Sequence, residues 1–138
     1  MKIYFAGSIR GGREFQKYYT EIISHLKSYG TVLTEHIGNP DLDDSGESDM
    51  SDEEIFQRDK DWVIESDVII AEVSSPSLGV GYELGLSEAI GRPVLCLYHS
   101  ANPKPLSAMV AGNKSFTIER YSTMDDLKTI IDNFLTKN

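Results

Sequence analysis

Val68-Ile69-Ile70-Ala71-Glu72-Val73, followed after two serines by Pro76-Ser77-Leu78-Gly79-Val80-Gly81-Tyr82-Glu83-Leu84-Gly85, decides the architecture. The first run is almost continuously apolar and reads as a strand buried on both faces. The second opens a helix over Gly79 to Ile90, and its glycines let the backbone approach a ligand closely. Glu83 falls within the first turns of that helix. Free backbone N–H groups and the positive end of the helix dipole would keep its carboxylate ionised. An ionised carboxylate at the carboxyl end of a buried strand is what a glycoside-cleaving nucleophile requires. The same position suits a glutamate that merely stabilises its helix, and this segment alone leaves both open.

Outward from this centre, strands and helices alternate. Lys2 to Ala6 reads as a short strand ending in the turn Gly7-Ser8-Ile9-Arg10-Gly11-Gly12. A helix over Arg13 to Tyr29 carries Phe15, Tyr19, Ile22, Ile23 and Leu26 at helical spacing, and Gly30 is placed to end it. Thr31 to Thr34 is a second strand. A helix ending near Glu65 precedes the buried strand, and Pro93 to Tyr98 and Phe116 to Tyr121 are further strands. Met124 to Leu135 closes the chain as a helix with Leu127, Ile130, Ile131, Phe134 and Leu135 on one face. The pattern predicts an α/β fold: a flavodoxin-like (Rossmann-like) three-layer sandwich on a five-stranded parallel sheet of order 2-1-3-4-5. In that order the Gly7–Gly12 and Ser77–Glu83 turns share the crevice between strands one and three.

The chain of 138 residues is expected to form one domain over 1–138. A formal charge of −9 argues against non-specific binding to nucleic-acid polymers or membranes. An anionic ligand therefore needs a local cradle. The one cysteine, Cys96, lies in an apolar run, excludes an internal disulfide and suits a reducing compartment. No signal peptide follows Met1 and no apolar run approaches membrane-spanning length. A cytoplasmic protein is expected, with a nuclear location open if the source is eukaryotic. Between Gly38 and Glu54 lie eight acids and no base. That stretch reads as a solvated loop, with a lid as the alternative, and Ser51 with Glu54 resembles a capping box.

Four observations concern chemistry. In the second helix Glu54, Arg58, Asp61 and Glu65 recur at three- and four-residue spacing as a solvated, charge-paired face. Asp59 lies on the other side with Ile55, Trp62 and Val63, and partial burial would raise its pKa towards that of a general acid. An Asp bonded to loop backbone or a lysine fits equally. The Gly7–Gly12 turn offers a hydroxyl, a guanidinium and helix-start N–H groups for a phosphate, without P-loop or dinucleotide spacing. The three histidines show no ligand spacing, so neither metal nor cofactor is expected, although His36 could line the crevice.

Three stretches together resemble a known family: Tyr4-Phe5-Ala6-Gly7-Ser8-Ile9-Arg10-Gly11-Gly12-Arg13-Glu14, Gly30-Thr31-Val32-Leu33-Thr34-Glu35-His36 and Pro76 to Gly85. They look like the 2′-deoxynucleoside 5′-phosphate N-hydrolases of the nucleoside 2-deoxyribosyltransferase superfamily. Leu106-Ser107-Ala108-Met109 matches as well. The resemblance implies hydrolysis of a deoxynucleoside monophosphate to free base and 2-deoxyribose 5-phosphate. It implies Glu83 as nucleophile at C1′, Asp59 as proton donor to the departing base, and Tyr4 positioning the sugar and Glu83. Gly7, Ser8, Ile9, Arg10, Gly11, Ser77 and Gly79 would hold sugar and phosphate. Ser107 and Met109 would come from the neighbouring subunit, implying a homodimer with shared active sites. The acidic loop departs from the family pattern.

Three other readings compete: a deoxyribosyltransferase acting on nucleosides, a hydrolase of ribonucleotides such as CMP, and a non-catalytic nucleotide-binding domain. A phosphate cradle argues against the first of these.

Overall fold

The computed structural model describes residues 1–10, 14–43, 45–47 and 49–138. Five strands are described: β1 (Lys2–Ala6), β2 (Thr31–Val32), β3 (Val68–Glu72), β4 (Val94–His99) and β5 (Phe116–Tyr121). They pair in parallel in the order β2-β1-β3-β4-β5, the order the alternating pattern predicts. Five helices connect or follow them: α1 (Gln16–Leu26), α2 (Asp52–Glu65), α3 (Leu78–Ala89), α4 (Ala108–Ala111) and α5 (Met124–Leu135). Among the described residues no helix is long and apolar enough to cross a membrane.

Period-two alternation along the central strands divides the core into two layers. Ile3 and Phe5 of β1, with Val68 and Ile70 of β3, pack beneath Tyr19, Ile22, Leu26, Leu127 and Ile131 of α1 and α5. Tyr4 and Ala6, with Ile69 and Ala71, face Val63 of α2 and Val80 and Leu84 of α3. Cys96 joins the second layer, where burial pushes its thiol up to about 12. A thiol held protonated there is packing, not a nucleophile.

The structure departs from the sequence reading at several ends. Helix α1 starts at Gln16 and stops at Leu26, with Ser28 and Tyr29 donating back to His25 and Leu26 carbonyls in a closing turn. Arg13, where the pattern began, lies outside the described residues. Strand β2 is only Thr31–Val32, because Thr34 replaces the ladder with its side chain. Its buried Oγ1 accepts the Phe5 N–H at 2.9 Å and donates to the Phe5 carbonyl at 2.7 Å. A 3-10 turn, Glu35–Gly38, and the four-residue α4 were not anticipated. Ser51 does cap α2 by accepting the Glu54 N–H at 3.2 Å. Thr123 and Asp126 form a reciprocal capping box on α5 that the sequence reading missed.

Gly30 ends the closing turn where two backbones touch. A Cβ there would stand 2.0 Å from the Met1 carbonyl oxygen, which accepts the Thr31 N–H at 3.0 Å. Gly30→Ala must therefore displace the edge pairing of β2 against β1. The expected cost is about 1–3 kcal/mol, read as a lower urea midpoint at unchanged slope.

Candidate active site

The reversal of strand order falls between β1 and β3, and loops at the carboxyl ends of such a pair are where sheets of this order bind ligands. Alternation along β1 turns Tyr4 towards α3. The ring is fully buried, and its hydroxyl donates to Glu83 Oε1 at 2.7 Å. Burial, with the charges of Glu83 and Asp59, pushes the phenol pKa far upwards, so Tyr4 stays a donor.

Glu83 is not held by the helix start as its position suggested. It stands well past Leu78, and the first-turn donor at Val80 is taken by Ser77 Oγ at 3.3 Å. Its environment is set by packing: burial pushes the carboxyl up to about 7, the Tyr4 hydrogen bond favours ionisation, and the Asp59 charge opposes it. This corrects the expectation of a carboxylate ionised by the dipole, which fades beyond the first turn. The α3 backbone is held there by Ser87, whose hydroxyl donates to the Glu83 carbonyl at 2.7 Å.

Asp59, from α2, bears electrostatically on both Tyr4 and Glu83. Burial raises its pKa, against a hydrogen bond and positive charge from Arg58. Arg58 itself does not belong to a solvated face. Its Nε donates to Asp59 Oδ1 at 2.9 Å, and its two Nη groups bind both oxygens of Glu47 at 2.7 and 2.6 Å. Of the remaining members of that face, Asp61 accepts from Gln57, Glu65 pairs with Lys2, and Glu54 is exposed. His36 lies beside Arg58 Nη2 at 3.4 Å and near Trp62, and burial lowers its pKa.

Two turns could cradle an anion. After β1, Ser8 is fully buried and its N–H donates to Tyr19 Oη at 3.0 Å. Its Oγ is buried with no hydrogen-bond partner. Gly7 is required beside it, because a Cβ would lie 2.9 Å from the Tyr19 ring. Ile9 is half-buried, while Arg10 is exposed and paired with Asp52 at 3.0 Å. Gly11 lies outside the described residues. After β3, the segment leading to Ser77 and Gly79 is tied down at Ser74 by Glu72, a residue that sequence reading treated only as strand. The buried Glu72 carboxyl accepts from the Ser74 hydroxyl, from Ser74 N–H at 3.3 Å and from Tyr121 Oη at 3.0 Å. Burial pushes it up to about 7.

Ser107 and Met109 make no described contact with Tyr4, Asp59 or Glu83. They sit on the β4–β5 connection, with Met109 84% exposed. Among the described residues no three His, Cys, Asp or Glu side chains gather as a metal site. The arrangement can supply a nucleophilic carboxylate, a second carboxyl of raised pKa, and a buried, unpartnered hydroxyl in the turn after β1.

Fold and site together define a three-layer α/β protein with a carboxyl pair at the topological switch point of its sheet. The chain belongs to the nucleoside 2-deoxyribosyltransferase family, whose profile matches residues 3–134. It is 45% identical over 144 residues to the 5-hydroxymethyl-dUMP N-hydrolase of Danio rerio, covering all of both chains. It is 44% identical over 140 residues to the protein of the same name from Tetraodon nigroviridis, covering 99% of this chain and 98% of that one. The Clostridium botulinum CMP N-glycosidase superposes with a TM-score of 0.69 at 18% identity, over 96% of this chain and 99% of that one. At that identity the likeness concerns the fold.

Proposed function

We propose that this protein hydrolyses the N-glycosidic bond of 2′-deoxynucleoside 5′-monophosphates, releasing free base and 2-deoxyribose 5-phosphate. The observation that carries the reading is the shielded carboxyl pair, with Glu83 fixed by Tyr4 and subject to the charge of Asp59. A Glu83 oxygen attacks C1′ as the C1′–N bond breaks, and the bond pair leaves with the base. Asp59 gives its proton to the base, so the leaving group departs neutral. The emerging oxocarbenium character is stabilised by the adjacent carboxylate. Water then attacks C1′ of the glycosyl ester, Asp59 takes the water proton, and Glu83 is released.

Tyr4 orients Glu83 through its hydroxyl, and its fully buried ring gives no direct contact for a 2′-hydroxyl. Ser8, Arg10 and Ser77, with backbone at Gly7, Ile9, Gly11 and Gly79, bind sugar and phosphate. The orphaned Ser8 hydroxyl supports this, since a buried hydroxyl without a partner is costly unless a ligand completes it. A homodimer completes each site with Ser107 and Met109 of the partner subunit. The exposed Leu78, Tyr82 and Met109 are apolar surface that such an interface would cover. The lone buried thiol fits a reducing cytoplasm.

Chromatography of a nucleotide panel tests the reading, with 5-hydroxymethyl-dUMP first because two full-length relatives are named for it. The expected result is free base and deoxyribose 5-phosphate from deoxynucleotides, with deoxynucleosides slower by about tenfold or more for want of phosphate contacts. Base exchange on nucleosides would favour a transferase. Equal or faster turnover of CMP or GMP would reject the deoxyribose preference, and release from no nucleotide would favour a binding domain.

A further inference from the structure

Asp59 must hold a proton when the base departs, yet a guanidinium lies 2.9 Å away, with Arg58 Nε donating to Asp59 Oδ1. A contact of that kind favours the ionised carboxylate and opposes proton donation. The geometry also contains the offsetting group. Both outer nitrogens of Arg58 bind the two oxygens of Glu47, at 2.7 and 2.6 Å, and Nη2, which also lies 2.9 Å from Asp59 Oδ1, is shared between the two carboxylates. The pair is well shielded, with side-chain exposures of 20% for Arg58, 18% for Glu47 and 24% for Asp59. Screening by salt is therefore weak. The guanidinium lies 4.7 Å over the Trp62 ring and touches Met50 sulfur at 3.1 Å, so its plane has little freedom.

We propose that Glu47 is a positioning residue for glycosidic cleavage: it occupies the outer edge of Arg58, so that Arg58 orients Asp59 without holding it as an anion. The inference rests on the reading of Asp59 as proton donor. It gives one member of the acidic stretch a task, while Asp41, Asp43, Asp49, Asp52, Glu53 and Glu54 stay exposed. The other groups facing Asp59 leave this balance intact. Tyr4, from β1, stays protonated. His36, from the 3-10 turn, is pushed towards its neutral form by burial and lies 3.4 Å from Glu47. Glu83, from α3, must be ionised in the attacking state whichever partner Arg58 has. The fixed charges that remain are Arg58, which lowers the Asp59 pKa by direct contact, and Glu47, which offsets part of that effect.

The test is the pH dependence of kcat in three variants. A proton donor loses activity as pH rises through its apparent pKa, so the basic limb reports Asp59 within the coupled pair. Glu47→Gln leaves the full guanidinium charge on Asp59, and the basic limb is expected to move down by about one pH unit. Arg58→Gln leaves the Glu47 charge uncompensated, and the limb is expected to move up by about one unit. The double variant is expected to fall between the two single variants. Glu47→Asp keeps the charge and should hold the limb near its original place; it serves where Glu47→Gln does not fold.

Limbs that shift in the same direction, or that stay fixed while kcat falls, would overturn the inference and leave Glu47 as a loop fastener. Asp59→Asn separates the two levels. If it kept the parental rate, the proton-donor reading and the inference would fall together. If it were inactive while the limbs failed to diverge, the inference alone would fall.

Discussion

Glu83→Gln is expected to lower kcat on a deoxynucleoside monophosphate on the order of 10⁴-fold, about 5 kcal/mol of barrier. The replacement has the same shape, and its amide oxygen can still accept the Tyr4 hydroxyl that now sits 2.7 Å from Oε1. Folding should therefore survive, which urea unfolding checks independently. What disappears is the anionic oxygen proposed to bond to C1′. Acid quench and mass analysis give a second reading: the parent traps a deoxyribose-phosphate ester on Glu83, and the variant does not. A rate within tenfold of the parent, or an adduct elsewhere, would remove Glu83 as nucleophile. The pH profile follows from the same site. Attack needs the ionised carboxylate, and burial pushes Glu83 up to about 7, so kcat should fall on the acid side of neutrality.

The second large effect is expected at Asp59. Asp59→Asn removes the transferable proton and should lower kcat by about 10²–10⁴-fold. The loss should depend on the base, unlike that of Glu83→Gln. An electron-poor base that leaves readily as an anion needs little protonation and should lose least; a poor leaving group should lose most. Plotting the loss against the acidity of the base N–H gives the check. A loss of equal size for every base would assign Asp59 to binding instead of proton transfer. Burial raises the Asp59 carboxyl, in keeping with donation, although Arg58 pulls the other way.

The architecture could be read from the chain because the signals that set it are periodic. Val68 to Ile70 is buried on both faces, and Tyr19, Ile22, Leu26, Leu127 and Ile131 recur at helical spacing, so strand and helix assignments followed. Element ends were less legible. Thr34 belongs by composition to a strand, but its side chain satisfies Phe5 and releases its backbone from the ladder.

In the site, Asp59 and Glu83 were marked by residue type and place and Tyr4 by the family resemblance alone, and the fold brings them within electrostatic reach of one another. The state of Glu83 was misread because helix position gives the dipole but not the packing above it. Arg58 was misread because i, i+3 and i, i+4 spacing describes neighbours on its own helix. Its partner Glu47 is eleven residues away on a stretch with no periodicity. Glu72 looked like any other strand residue, since only pairing with Tyr121, far along the chain, reveals its role.

Tyr4 contributes both to the inner layer beside Val63, Ile69 and Leu84 and, through its hydroxyl, to the crevice. Its ring is structural filling and its oxygen a reagent's tether, so the position has two masters. Drift towards smaller residues would open a void as well as free Glu83, and drift towards polar ones would strand a group in oil-like surroundings. Phenylalanine alone preserves the volume while deleting the tether. Moving the Glu83 carboxyl in a laboratory lineage would therefore have to work around this residue, through the walls facing it, instead of through the residue itself.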